Sequence, residues 1–227
     1  MGKHFSLTAA DKHKLGAYRA DPAGTPKGGL VVVQEIFGVN HHIRAVADRF
    51  AAAGYVAVAP ALFDRVEPNV ELGYGMEDRP RAMDLRGQTK LEATLLDIAA
   101  AIDVAKQAGS NQLKVGLVGY CWGGTLAFLG ACRLPGVAAA VGYYGGGVPT
   151  LGALRPRVPV MLHFGELDAH IPLDGVRAFA AAHPDTPVFT YPTGGHAFNR
   201  YGNAAYDAPS ATLARQRTMA FFGSKLG

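Results

Sequence analysis

Cysteine is scarce in this chain, with two in 227 residues. Two cannot build a disulfide framework, and these two do not suit each other. Cys121 and Cys132 stand at the two ends of one expected helix. At about 1.5 Å rise per residue that sets them roughly 16 Å apart, whereas a disulfide needs Cα atoms within about 7 Å. Cys132, beside Leu129 and Leu134, reads as a core residue. Charge is sparse too: 18% of residues are charged, with a formal net charge of +4. The basic residues are scattered and no basic run carries interleaved aromatics, so nothing points to nucleic acid. Long apolar runs are missing. No window reaches the ~18 apolar residues of a membrane span, and the N-terminus has no apolar leader segment. A cytoplasmic protein with no membrane partner is expected. No His, Asp or Glu group has metal-ligand spacing. Gly145-Gly146-Gly147 follows an expected strand but lacks the Lys-Ser/Thr of a phosphate-binding loop. Neither metal nor cofactor is expected.

What the chain does have is apolar substance. Hydrophobic residues make up 49% of it, enough at this length for one domain, residues 1–227, with a sizeable core. Apolar runs and helical patterns alternate. Two short strands flank Asp11-Lys12-His13-Lys14, and residues 21–26 form a loop by their turn chemistry. The run 29–34 suits a strand covered on both faces. A helix over 43–53 ends at Gly54, a strand covers 55–59, and a helix spans 91–108. Further strands are expected at 113–118, 137–143, 159–163 and 188–191. Further helices are expected at 125–132, 173–182 and about 210–222, with Asp174 as the N-cap of the second. Residues 61–88 show no periodicity and read as a long excursion, the kind of segment that serves as a lid or binding loop. Alternation of this kind implies a mostly parallel sheet with helices on both faces. Right-handed crossovers then bring the loops after the strands to one edge.

Four such post-strand positions carry chemical side chains: Glu35, Cys121, Asp168 and His196. Cys121 sits in Gly119-Tyr120-Cys121-Trp122-Gly123-Gly124, the G-x-nucleophile-x-G pattern of a nucleophile elbow, between a strand and a helix. There the helix N-terminus favours a thiolate. His196, after Gly194-Gly195, is placed to take the Cys121 proton, and Asp168 to orient His196 and stabilise its charged form. Glu166 and Asp174 compete with Asp168 for that role. The backbone N–H groups of Trp122 and Ile36 would face a developing oxyanion, worth about 3 kcal/mol per donor in comparable sites. His41 and His42 open a helix and read as partly exposed. His163 and His170 could line the site, although packing is the simpler reading. The order nucleophile, acid, histidine is that of α/β-hydrolases.

The chain resembles the dienelactone hydrolases (carboxymethylenebutenolidases), a cysteine-nucleophile branch of the α/β-hydrolase fold. The motifs that carry the resemblance are Gln34-Glu35-Ile36-Phe37-Gly38-Val39-Asn40, Val118 to Gly124, Val141-Gly142-Tyr143-Tyr144-Gly145 and Gly195-His196-Ala197-Phe198-Asn199-Arg200. The resemblance implies a Cys121–His196–Asp168 triad. It implies that Glu35 meets the resting thiol and moves away when an anionic substrate binds. It also implies that Arg81 and Arg200 hold a substrate carboxylate, with Arg79 a close competitor of Arg81. Leu85, Gln88 and Trp122 depart from the family's pattern and bear on substrate identity. The implied reaction is the opening of a carboxylate-bearing enol lactone, dienelactone to maleylacetate, by a monomer without cofactor. A broader carboxylesterase or thioesterase, or a non-catalytic binding or thiol-sensor protein on the same fold, are the alternatives.

Overall fold

The computed structural model describes residues 2–227. One eight-stranded sheet runs through it in the order β1-β2-β4-β3-β5-β6-β7-β8. The strands are β1 (Lys3–Thr8), β2 (Lys14–Ala20), β3 (Gly29–Val33), β4 (Val56–Pro60), β5 (Val115–Tyr120), β6 (Val137–Tyr143), β7 (Val160–Gly165) and β8 (Val188–Tyr191). β1 and β2 pair antiparallel, β2 pairs antiparallel with β4, and the remaining pairs are parallel. Every residue of β3, β4 and β5 is buried. That is why these strands read as unbroken apolar runs rather than alternating ones.

The described residues form six α-helices: α1 (His41–Ala52), α2 (Asp78–Gln88), α3 (Leu91–Lys106), α4 (Trp122–Arg133), α5 (Leu173–Ala182) and α6 (Ala208–Leu226). On one face α1 and α6 meet, with Phe50 and Phe222 edge to face at 6.4 Å. On the other, α3 and α4 pack together against the central strands. Asn40 caps α1 by accepting from the Ile43 N–H at 3.3 Å. The Asp207 side chain caps α6 in the same way, accepting from Ser210 N–H at 3.1 Å. Both supply an acceptor to an N–H that has no partner inside the helix.

Three expectations need correction. Residues 61–88 are not structureless, because α2 lies inside them. That helix buries only Ala82 and Leu85, against Ile36, Phe37 and Phe63. Two buried positions give too narrow an apolar stripe to register as periodicity, and Pro80 is tolerated because it falls in the first turn. Asp174 is not the N-cap of α5. The chain enters that helix through Pro172, and Asp174 lies within the first turn, where it pairs with Arg177 at 3.4 Å. His42 is buried rather than partly exposed, although His41 beside it is exposed. The α1 face that carries His42 packs toward the sheet, and burial lowers the His42 pKa to about 4.

Candidate active site

The turn between β5 and α4 sets the geometry. The strand ends at Tyr120, the helix begins at Trp122, and Cys121 makes the whole turn with φ 55° and ψ −117°. An L-residue rarely holds positive φ, so the surrounding packing must enforce it. Cys121 N–H donates to Tyr143 O at 3.0 Å, and Cys121 O accepts from Gly124 N–H at 3.0 Å. The flanking glycines permit this closeness. A Cβ on Gly119 would overlap the Gly123 carbonyl, and one on Gly123 would overlap the Val33 carbonyl. Both obstacles are backbone and cannot swing aside. Gly119→Ala should therefore cost about 3 kcal/mol or more. Chemical denaturation checks this, and a midpoint unchanged from the parent protein contradicts it.

The ends of β7 and β8 supply the next two groups. His196 Nδ1 donates to Asp168 Oδ2 at 2.7 Å. The other Asp168 oxygen accepts from the His170 backbone N–H at 2.8 Å. Asp168 is buried, whereas Glu166 is exposed and accepts from the Thr190 hydroxyl. Because a carboxylate only accepts, Nδ1 carries the proton and Nε2 is left for the other side of the ring. Burial works against a charged His196. The hydrogen bond to Asp168 and the presence of Cys121 outweigh it and hold its pKa up at about 10. A raised pKa of this kind stabilises the folded chain most below about 6.5. That contribution is lost as pH rises through about 10.

Glu35 follows β3 and is fully buried. One of its oxygens accepts from Arg200 Nη2 at 2.7 Å and the other from the Tyr74 hydroxyl at 3.0 Å. Among the described residues it makes no hydrogen bond to Cys121. The Arg200 guanidinium lies over the Tyr74 ring, 3.9 Å from its centroid, and only 10% of its side chain is exposed. Its Nε is sealed from solvent without a partner. Gln34 ties the neighbouring loops together, with Oε1 accepting from Leu62 N–H at 3.0 Å.

Arg81 is not brought to this group. It lies on the outer side of α2, nearly half exposed, in an ion pair with Glu67. Arg79, two residues earlier on the same helix, points the other way. Its Nη2 is 3.3 Å from His170 Nε2, and the His170 ring stands edge to face with His196 at 5.6 Å. The N–H groups of Ile36 and Trp122 donate to no protein acceptor among the described residues. Trp122 opens α4, where helix N–H groups have no internal partner, and its ring stacks on Phe63 at 5.5 Å. Three neighbours escaped assignment from the sequence. Tyr74 is hidden in the aperiodic region. Tyr144 (φ 36°) places its ring 5.1 Å from His196 and donates its hydroxyl to Asn199. Both Tyr144 and Asn199 sit inside recognisable motifs, but no spacing rule assigns them a task. His163 is fully buried between Tyr191 and Thr218, and burial lowers its pKa to about 3, so it is a packing residue. No three His, Cys, Asp or Glu side chains among the described residues come together as a metal site. No helix is long and apolar enough to cross a membrane.

A mostly parallel sheet with a strained G-x-C-x-G turn and a hydrogen-bonded Asp–His pair at the same strand edge defines an enzyme of the α/β-hydrolase fold. The sequence profile of the dienelactone hydrolase family matches residues 15–226. A carboxymethylenebutenolidase of Pseudomonas putida is 37% identical over 223 residues, spanning 96% of this chain and 94% of that one. A putative carboxymethylenebutenolidase of Synechocystis is 34% identical over 229 residues, spanning 94% and 93%. The crystal structure of a putative dienelactone hydrolase from Klebsiella pneumoniae superposes with a TM-score of 0.84 at 28% identity, covering 98% of each chain. An esterase of Pyrococcus furiosus shares the fold at a TM-score of 0.75 and 14% identity, covering 100% of this chain and 92% of that one. The chain belongs to the dienelactone hydrolase family and is a hydrolase of carboxylic esters.

Proposed function

We propose that the protein opens a small enol lactone bearing a carboxylate, with dienelactone to maleylacetate as the reaction, through a thioester on Cys121. The observation that carries this reading is the 2.7 Å Asp168–His196 hydrogen bond at the same sheet edge as the strained Cys121 turn. His196 takes the Cys121 proton, and Asp168 stabilises the resulting imidazolium. The thiolate attacks the lactone carbonyl, and the Ile36 and Trp122 N–H groups receive the oxyanion. Collapse breaks the ring C–O bond. The leaving group is an enolate, a weak base that needs little protonation, so a soft nucleophile suffices. His196 gives the proton it took from Cys121 to the released enolate, and the neutral imidazole then activates the water that cleaves the thioester.

Arg200 is the group suited to the substrate carboxylate, since its planar fork binds carboxylates bidentately. Glu35 keeps that charge matched until the substrate arrives, and a carboxylate competing for Arg200 would free Glu35 to move. With Arg81 engaged by Glu67, Arg79 is the better placed second cation, reaching the site through His170. The displacement of Arg81 also favours a second reading, a broader carboxylesterase with a different small acidic substrate.

Alkylation tests the nucleophile. Iodoacetamide should abolish lactone opening in proportion to label on Cys121, with dienelactone protecting, while the buried Cys132 stays unlabelled by peptide mapping. Full activity in protein labelled at Cys121 contradicts the reading. The Asp168–His196 bond has its own signature. Asp168→Asn removes the carboxylate that orients His196 and stabilises its charged form, so kcat should fall by about 10³-fold or more. Turnover near the parent rate would mean that another group orients His196.

A further inference from the structure

A cavity of about 510 Å³ lies on the opposite side of the Cys121 strand, between α1 and α6. Its volume suits a small molecule, and neither Cys121, Asp168 nor His196 lines it. Tyr120 and Tyr143, from the ends of β5 and β6, form the floor. Val46, Phe50 and Met219 form apolar walls. Arg49 of α1 and Arg215 of α6 approach it from two sides. No Asp or Glu lines it. Among the described residues neither Arg49 nor Arg215 joins an ion pair. Both guanidinium charges act on the Tyr120 phenol, opposing the burial that raises its pKa. The Tyr120 hydroxyl donates to no protein acceptor among the described residues. Two uncompensated cations and a free phenol over an apolar, aromatic-walled cavity make a site for an anion with a planar apolar body.

We infer that this cavity binds a small aromatic or unsaturated carboxylate, its carboxylate held by Arg49 and Arg215 and its body packed between Phe50, Met219 and Tyr206. The site is separate from the one at Cys121, although only Tyr120 divides them along the chain and Asn199, at the cavity rim, is next to Arg200. Benzoate is the probe, with benzamide as its neutral counterpart. Binding is followed by calorimetry in the Glu35→Gln/Arg200→Gln background, which removes the cation expected to hold carboxylates in the catalytic cleft. Saturable binding of benzoate at about one per chain is expected, with benzamide at least about tenfold weaker. In Arg49→Gln/Arg215→Gln, benzoate affinity should fall at least about tenfold. The thermal midpoint should hold, because both side chains reach solvent and neither has a partner to lose. Undiminished binding in the double variant, equal binding of benzamide, or no saturation at millimolar benzoate each overturns the inference.

Discussion

Cys121→Ala should lower lactone turnover by about 10⁴-fold or more, because no second nucleophile stands at the elbow and the loss of one member of such a unit removes most of its catalysis. Fold and substrate binding should survive. The alanine keeps the same backbone, and the turn is held by hydrogen bonds of the main chain, Cys121 N–H to Tyr143 O and Gly124 N–H to Cys121 O. Cys121→Gly should be equally inactive but more stable than the alanine variant by about 1 kcal/mol or more, since glycine relieves the strain of a φ of 55°. Measuring turnover and denaturation midpoints for both variants separates the chemical role of the sulfur from the conformational cost of its position. Residual turnover near the parent rate in either variant would place the nucleophile elsewhere.

Arg200 carries the second large effect. Removing it should lower kcat/KM for a carboxylate-bearing lactone by about 100-fold, the worth of a buried charge-assisted pair. A neutral ester should change only slightly. The single variant is a poor test by itself. Glu35 is fully buried with Arg200 as its counter-charge, so Arg200→Ala leaves an unpaired carboxylate that costs about 3–5 kcal/mol of stability. The better comparison is Glu35→Gln/Arg200→Gln, in which a neutral pair replaces the charged one and the Tyr74 hydroxyl keeps an acceptor. Equal losses on the acidic lactone and the neutral ester in that variant would remove Arg200 from substrate recognition.

The sheet could be read from the sequence because β3, β4 and β5 are buried on both faces and therefore appear as unbroken apolar runs. The same alternation put Glu35, Cys121, Asp168 and His196 after strands, hence at one edge, and the structure joins Asp168 to His196 directly. Other features were illegible for physical reasons. α2 buries two residues, too few to print a period. Whether Arg79 or Arg81 faces inward depends on the rotation of that helix about its axis, and no local pattern fixes it when the buried stripe is so narrow. His42 is buried by the packing of α1 on the sheet, a tertiary fact that its neighbour His41 does not share. Tyr74 and Asn199 owe their places to Glu35, Arg200 and Tyr144, partners 39, 126 and 55 residues away in the chain respectively. Asp174 lost the capping position because Pro172 had already turned the chain.

A soft nucleophile and a carboxylate-holding cation are expected to act together on one substrate. The most direct test is kcat/KM for dienelactone against a neutral aryl ester of similar size. A preference for dienelactone of about 100-fold or more is expected, that being the contribution assigned to Arg200. A preference for the neutral ester would contradict the account of the substrate, leaving the Cys121 chemistry to be matched with another ester.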